Sequence, residues 1–343
     1  MIRTINVSDV FNKDEKIFID VRSPYEFNEG TIPNAINMPL FNDEERIEVG
    51  KIYKSQGVND AIIKGLEFTA IKLPPLYKKV IELCEAKKDI IIFCSRGGLR
   101  SSSVTNLLDT LGVTVFQLEG GYRALRKFTL DYFRNIDHYH QFIVLHGYTG
   151  VGKTEILKEL AARNIPILNF EQMAQNTGSV FGSIGYFERT INQKTFEASI
   201  IDALIKASNK TIVVESESRR IGNVVIPKEL YRLLNAGKHV YIETSVENRI
   251  KRLVNDYVIK LPNGDEYLKE CIAHLRKRMG DKNIARYVEL IQNKQHEKVI
   301  KELILNYYDP LYKSSFKKYN YDLFINYDRI DKAVDKIEDY YGR

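Results

Sequence analysis

The stretch that most constrains the fold runs from Gly147 to Thr154 and has the sequence GYTGVGKT. It satisfies the pattern G-x-x-x-x-G-K-[ST], which binds phosphate when a strand precedes it and a helix follows it. The apolar run over 141–146 predicts the strand, and the residues from Lys153 to Arg163 predict the helix. Glycines let consecutive N–H groups point into one concavity, where the helix dipole and the Lys153 ammonium attract an anion. The sequence therefore predicts a phosphate-binding loop.

The residues expected to hold the phosphates are the glycines of this loop and the two residues that follow them. Thr154 is expected to hold Mg²⁺ against the bound phosphates. Glu215 ends an apolar strand, where phosphate-loop proteins often keep an acid near the metal; a helix cap or a surface carboxylate is the alternative. No separate metal site is expected. The predicted phosphate-binding residues are Gly147, Gly150, Gly152, Lys153, Thr154 and Glu215.

Length and composition indicate a globular protein with two domains. The chain has 343 residues, of which 44% are hydrophobic and 28% are charged. No apolar run approaches the roughly 20 residues that cross a bilayer, and the N-terminus lacks the pattern of a secretory signal. The three cysteines form no C-x-x-C pair and cannot build a disulfide framework. We therefore expect a cytoplasmic protein with no membrane partner.

Buried strands alternate with helices along the chain, which predicts parallel sheets with helices on both faces. We expect an N-terminal parallel-sheet domain over 1–135. A phosphate-loop α/β domain should follow over 136–343, with a helical region from about 264 to 319. The glycine-rich segment over 178–185 is expected to act as a lid or as a second anion contact.

Cys94 is predicted to lie between the end of a buried strand over 89–93 and the start of a helix. There its thiolate would face the helix dipole, loop N–H groups and the guanidinium groups of Arg96 and Arg100, each of which lowers the pKa of the thiol. Two glycines allow the loop to curl around a bound anion. A buried structural cysteine is the alternative, which we favour for the other two cysteines. We predict Cys94, Arg96 and Arg100 as catalytic residues.

Residues 20–27, residues 30–40 and the cysteine loop together resemble a rhodanese domain. In that family the loop cysteine carries transferred sulfur as a persulfide. Five residues separate Cys94 from Arg100, whereas typical sulfurtransferases have four. The wider loop resembles that of cysteine-dependent phosphatases, and it suits a phosphate-sized oxyanion better than a bare sulfur atom.

A rhodanese domain followed by a phosphate-loop domain resembles the tRNA 2-selenouridine synthase family. The resemblance extends well beyond the two loops and covers nearly the whole chain. Further segments that carry it are 42–46, 49–50, 53–54, 56–57, 119–126, 178–182, 215–222 and 307–312.

This resemblance implies a tRNA substrate with 2-thiouridine at the wobble position, and two co-substrates, geranyl diphosphate and selenophosphate. It implies that Cys94 is the selenation residue, which either accepts selenium as a perselenide or orders the selenium donor. Arg96 and Arg100 would hold the selenophosphate oxyanion. The phosphate loop would bind a diphosphate, with geranyl diphosphate as the first candidate and a nucleotide as the second. An enzyme that supplies selenophosphate is an expected partner.

Two other functions agree with the same motifs. One is an ATP-dependent sulfurtransferase or small-molecule kinase fused to a rhodanese domain. The other is a non-catalytic module that senses phosphate, but such a module should have lost its nucleophile, and Cys94 is present.

The positive charge lies in the second part of the chain. Residues 1–140 hold 19 Lys and Arg against 19 Asp and Glu, whereas residues 141–343 hold 32 against 26. We therefore expect tRNA phosphates to meet basic helix faces in the second part, with solvated helix faces as the alternative. The candidates are Arg276, Lys277, Arg278, Lys282 and Arg286 in one group, and Arg249, Lys251 and Arg252 in the other.

Overall fold

The computed structural model describes residues 3–11, 13, 15–86, 88–175, 191–208 and 210–342. The chain divides into two compact units, one of Met1–Asn135 with Asn192–Lys206 and the other of Ile136–Ile191 with Ala207–Arg343. Residues 192–206, which the sequence analysis places in the second domain, therefore pack with the first unit. The glycine-rich segment over 178–185 lies outside the described residues.

The strands are short and largely buried, as expected where helices cover both faces of a parallel sheet. Among the described residues they are, in chain order, β1 (Thr4–Ile5), β2 (Lys16–Asp20), β3 (Ile36–Asn37), β4 (Asp89–Phe93), β5 (Phe116–Leu118), β6 (Gln141–His146), β7 (Ile167–Leu168), β8 (Thr211–Glu215), β9 (Arg220–Ile221), β10 (Val224–Val225), β11 (Lys238–Glu243) and β12 (Leu323–Asn326).

Helices follow most of these strands, and local sequence explains where several of them begin. Ser23 and Asn42 each cap a helix through a reciprocal pair of hydrogen bonds with the glutamate three residues on. The described α-helices are α1 (Val7–Phe11), α2 (Pro24–Asn28), α3 (Asp43–Ser55), α4 (Val58–Thr69), α5 (Leu73–Cys84), α6 (Leu99–Thr110), α7 (Gly121–Arg134), α8 (Lys153–Ala162), α9 (Phe170–Ala174), α10 (Gln193–Lys206), α11 (Lys228–Ala236), α12 (Val246–Val254), α13 (Gly264–His274), α14 (Arg276–Met279), α15 (Asp281–Gln292), α16 (His296–Leu303), α17 (Asp309–Phe316) and α18 (Ile330–Tyr341).

The first unit contains a five-stranded sheet in the order β1-β5-β4-β2-β3, and all its strand pairs are parallel. The central strand β4 is almost completely buried, since Ile90 to Phe93 are at most 1% exposed. The cysteine loop follows β4 directly. In a parallel sheet the carboxyl ends of the strands are where ligands bind, so this loop lies at the edge where a site is expected.

The second unit contains a five-stranded parallel sheet in the order β12-β11-β6-β8-β7, together with the small hairpin of β9 and β10. The phosphate loop follows the central strand β6, and Glu215 ends the neighbouring strand β8. The predicted fold class, two α/β domains with parallel sheets, is confirmed.

The segment from α13 to α17 is helical, as the sequence predicts, and it has its own apolar core. Leu268, Cys271, Ile291 and Val299 are buried in that core. Burial raises the pKa of the Cys271 thiol to about 12, which agrees with a structural cysteine. None of the described helices is both long enough and apolar enough to span a bilayer.

Candidate active site

The cysteine loop is held by the start of α7. The Tyr122 N–H donates to the Cys94 carbonyl oxygen at 2.9 Å, and the Arg123 N–H donates to the Ser95 carbonyl oxygen at 3.0 Å. Gly121 makes this approach possible, because a Cβ atom at its position would lie 2.2 Å from the Cys94 oxygen. Its φ of 56° also lies in the region that glycine tolerates best. The glycines at the start of α7 therefore fix the helix against the loop.

The Cys94 sulfur lies in a mixed environment. The residue is only 3% exposed and packs beside apolar side chains of the first sheet, but its Sγ is 3.2 Å from the Ser101 Oγ. Burial raises the pKa of the thiol, but hydrogen bonds from Ser101 and the loop backbone and the charge of Arg100 outweigh it, so the pKa lies below its ordinary value. Gln117 holds Ser101 in place through a hydrogen bond of 2.9 Å. This environment favours a thiolate.

The two predicted arginines differ in their surroundings. Arg96 is exposed on the loop. The Arg100 guanidinium donates to both carboxylate oxygens of Glu26, at 2.5 and 3.1 Å, and to the Ser95 Oγ at 3.0 Å. Arg100 is therefore already paired with a carboxylate, a contact that the sequence did not indicate. A direct role for either arginine on a bound oxyanion stays a prediction.

Glu26 completes the hydrogen-bond network around the cysteine loop. Its carboxylate accepts a hydrogen bond from the Ser95 Oγ at 2.6 Å in addition to those from Arg100. Burial raises its pKa, but the bonds from Arg100 and Ser95 and the charge of Arg100 outweigh this and lower the pKa to about 2. Glu26 lies on α2, more than sixty residues before the loop, and we regard it as a positioning residue for Arg100.

The phosphate loop has the conformation that its glycines allow. Gly150 and Gly152 have φ values of 79° and 83°, which side-chain-bearing residues rarely adopt. The Lys153 Nζ donates to the Gly147 carbonyl oxygen at 3.1 Å and so lies over the loop. Strand β6, the loop and α8 thus occur in the order that the motif requires.

Two arginines of α12 hold the phosphate loop through its carbonyl oxygens. The Arg249 Nε donates to the Thr149 oxygen at 2.9 Å, and the Arg252 Nη1 donates to the Gly150 oxygen at 2.7 Å. Arg249 also forms a bidentate ion pair with Asp309, at 2.6 and 2.9 Å, and is only 4% exposed. The expectation that Arg249 contacts tRNA is therefore wrong, because its guanidinium is buried and already paired.

The carboxylate of Glu215 faces the phosphate loop. The Thr154 hydroxyl donates to its Oε2 at 3.3 Å, whereas its buried Oε1 accepts no hydrogen bond from any described residue. Glu215 is 1% exposed, which rules out a surface carboxylate. Glu171 and Glu217 each bring a carboxylate oxygen within 4.8 Å of the others in this group. Burial, together with the neighbouring carboxylates, raises the pKa of Glu215.

These oxygens fit a divalent cation such as Mg²⁺, which takes carboxylate, hydroxyl and phosphate oxygens as ligands. Thr154 and Glu215 would hold it, and the unpaired Oε1 would gain a partner. The sequence analysis missed Glu171 and Glu217. Glu217 could have been predicted from the sequence, because it lies two residues after Glu215 at the end of strand β8. Glu171 could not, because only the tertiary structure brings the start of α9 to the same place.

Together, the fold and the two sites define a two-unit α/β protein with a rhodanese-like cysteine-loop unit and a phosphate-loop unit. The family model of the rhodanese-like domain matches residues 7–127 of this chain. The family model of the tRNA 2-selenouridine synthase AAA domain matches residues 140–340. The chain belongs to the tRNA 2-selenouridine synthase family, and it is an enzyme.

Two curated relatives are similar in sequence to this chain over most of its length. The tRNA 2-selenouridine synthase of Pseudomonas syringae pv. syringae (strain B728a) is 34% identical over 86% of this chain and 87% of its own. That of Pseudomonas putida (strain W619) is 32% identical over 95% of this chain and 94% of its own. Among solved structures, an N-terminal domain from Clostridium difficile 630 is 49% identical, covering 37% of this chain and 98% of its own, with a TM-score of 0.37.

Proposed function

We propose that this enzyme replaces the sulfur of 2-thiouridine at the wobble position of tRNA by selenium, in two steps that use two separate oxyanion sites. The observation that carries the proposal is the pairing, within one chain of this family, of a phosphate loop with a cysteine of lowered pKa. The two sites differ in chemistry, since one offers an ammonium and the other a sulfur nucleophile. We infer from a tRNA substrate that the reaction takes place in the cytoplasm.

In the first step, the thiocarbonyl sulfur attacks C1 of geranyl diphosphate. A C–S bond forms, the C1–O bond breaks, diphosphate leaves with the electron pair, and N3 of the base releases its proton to solvent. Lys153 and the N–H groups of the phosphate loop would bind the diphosphate and stabilise its charge as it departs. Mg²⁺ held by Thr154 and Glu215 would neutralise part of the same charge. Alkylation matters because the thiocarbonyl sulfur leaves poorly, whereas its alkylated form leaves readily.

In the second step, selenium from selenophosphate attacks C2 of the base. The C2–Se bond forms, the C2–S bond breaks, and geranyl thiol leaves; water then cleaves the P–Se bond and releases phosphate. A perselenide on Cys94 would require a two-electron oxidation of selenide, for which these substrates supply no oxidant. We therefore assign Cys94 the role of ordering the donor. Its thiolate accepts the proton of a protonated selenophosphate and passes it to the departing sulfur.

The test follows the nucleosides of a thiouridine-containing tRNA by mass spectrometry. With geranyl diphosphate alone, we expect 2-thiouridine to become S-geranyl-2-thiouridine. Added selenophosphate should convert that product to 2-selenouridine, with no nucleotide required. A strict requirement for ATP, accompanied by its hydrolysis, would contradict this scheme and favour an ATP-dependent sulfurtransferase or kinase.

A further inference from the structure

A basic cavity of about 530 Å³ lies in the first unit beside the cysteine loop. Ser95 and Arg96 of that loop form part of its wall, and one face of α7 forms most of the rest. Since the Arg123 N–H is bonded to the Ser95 carbonyl oxygen, the cavity adjoins the residue that follows Cys94. Its cationic lining residues are Arg96, Arg123, Arg126, Lys127, Arg134 and Lys194.

The lining carries more positive charge than its neighbours neutralise. Arg126 pairs with Glu197, Arg134 pairs with Asp131 at 2.8 Å, and Lys194 lies 3.7 Å from Glu29. In the described part of the chain, no ion pair joins the other three cations, Arg96, Arg123 and Lys127, to a carboxylate, and all three are exposed. Like charges that share a cavity repel one another, so this surface favours an anionic ligand.

The cavity is much larger than a small oxyanion requires. A water molecule takes about 30 Å³ in the liquid, and a tetrahedral oxyanion needs only a few such volumes. The volume of 530 Å³ instead falls in the range of about 300–1,000 Å³ that holds ligands of nucleotide size. The Tyr122 ring, one face of which is covered by the Arg22 guanidinium at 4.2 Å, and the 40% exposed Leu130 also line it, and they add apolar surface against which a base can pack.

We propose that this cavity binds the single-stranded RNA that flanks the reacting nucleotide, with Arg123 and Lys127 on its phosphates; this inference rests on the proposed function. The two cations lie four residues apart on α7, so they face the same side of the helix. RNA is recognised in single strands by phosphate contacts and by stacking, and this lining offers both. The equal numbers of acidic and basic residues in the first 140 conceal the patch, because the basic residues gather on one helix face.

The experiment measures binding of a fluorescein-labelled anticodon stem-loop RNA to the full chain by fluorescence anisotropy over a range of salt concentrations. The variant Arg123→Ala/Lys127→Ala should bind at least about tenfold more weakly, because hydrogen bonds from charged groups are strong. The slope of log Kd against log salt should fall by about 0.7 for each lost phosphate contact. The matched control Lys51→Ala/Lys78→Ala removes two exposed lysines that do not line the cavity and should leave both quantities unchanged.

The outcomes separate this inference from the proposed function. If the wild-type chain binds no tRNA, the proposed function itself fails. If the wild-type chain binds RNA and the α7 variant binds it as tightly as the control variant does, the cavity is not the RNA site and the inference is overturned. A second measurement follows the alkylation of Cys94 in the presence of inorganic phosphate. If the α7 variant still binds RNA as the wild type does, but phosphate no longer protects its Cys94 from alkylation, the cavity serves a small oxyanion and the inference is overturned as well.

Discussion

The sulfur of Cys94 is buried, and burial alone would keep it a neutral thiol. The hydrogen bond with Ser101, the loop N–H groups and the charge of Arg100 reverse that effect. Ser101 is itself held by Gln117 on the neighbouring strand, which keeps its hydroxyl oxygen beside the sulfur. The reactivity of Cys94 therefore depends on side chains from other elements, among them Ser101 on α6 and Gln117 on β5.

At the residue scale, we expect the pKa of the Cys94 thiol to lie below its ordinary value, because hydrogen bonds from Ser101 and the loop backbone and the charge of Arg100 outweigh its burial. Its alkylation by iodoacetamide should remain fast to lower pH than that of an unperturbed cysteine, and Ser101→Ala should move the rate profile to higher pH. Peptide mass spectrometry measures each cysteine separately. Cys271, whose pKa is raised to about 12, is the internal control and should react most slowly. Equal profiles for the two cysteines would contradict the assignment.

A second residue-scale prediction concerns the carboxylate of Glu26. Its pKa of about 2 lies below that of an unfolded glutamate, about 4.3, so its ionised form stabilises the folded protein. That stability is present above pH 4.3 and is lost as the pH falls toward 2. Because the side chain is partly exposed, Glu26→Gln should cost roughly 1–3 kcal/mol at pH 7.

Urea unfolding at several pH values checks this prediction. The difference between the wild type and Glu26→Gln should shrink below pH 4 and vanish near pH 2. Glu82→Gln is the control, because Glu82 makes only an exposed ion pair with Lys79; it should cost little at any pH. A difference that does not depend on pH would contradict the sign of the pKa shift.

At the element scale, each loop is held by a helix distant from it in sequence. The start of α7 fixes the cysteine loop, and α12 fixes the phosphate loop through the buried Arg249. Each loop also follows the central strand of a parallel sheet, β4 or β6. The strands supply a rigid base, and the helices restrict the conformations that the glycines would otherwise allow.

We expect Arg249→Ala to destabilise the second unit by about 3–5 kcal/mol, because it leaves the Asp309 carboxylate, whose side chain is only 14% exposed, without its partner. Urea unfolding measured by circular dichroism gives the change. Arg286→Ala breaks an ion pair with Glu302 whose arginine is 44% exposed, and it should cost only about 0–1 kcal/mol. A similar loss of unfolding free energy in the two variants would show that Arg249 does not hold the phosphate loop as we describe.

At the scale of the whole molecule, each unit carries one of the two proposed oxyanion sites, and the proposed reaction uses one site for each step. Cys94→Ala should abolish selenation and leave geranylation largely intact. Lys153→Ala should weaken binding of geranyl diphosphate and impair geranylation first, since it removes the ammonium over the loop. Nucleoside mass spectrometry and direct binding of geranyl diphosphate check both variants.

Cys94→Ala and Lys153→Ala serve as controls for each other, because each variant should retain the reaction step that the other one loses. Circular dichroism must show both to be folded. Loss of both steps in a folded Cys94→Ala protein would contradict the division between the sites. Unchanged affinity for geranyl diphosphate in Lys153→Ala would contradict the assignment of the phosphate loop.

The sequence by itself determined the features that depend on local pattern. The apolar run over 141–146, the glycines of the phosphate loop and the start of α8 are contiguous, so the strand, loop and helix could be predicted together. The same holds for β4 and α6 on either side of the cysteine loop. Turn chemistry and hydrophobic periodicity act over a few residues, and they are visible in the chain itself.

Only the tertiary structure decided which distant side chains meet. The pairing of Glu26 with Arg100, the grouping of Glu171 with Glu215, and the burial of Arg249 all join residues far apart in sequence. Composition also conceals local charge, since the neutral first part of the chain contributes five arginines and lysines to the lining of one cavity. The physical reason is that strand order and helix packing bring such residues together, and neither is written in local periodicity or in net charge.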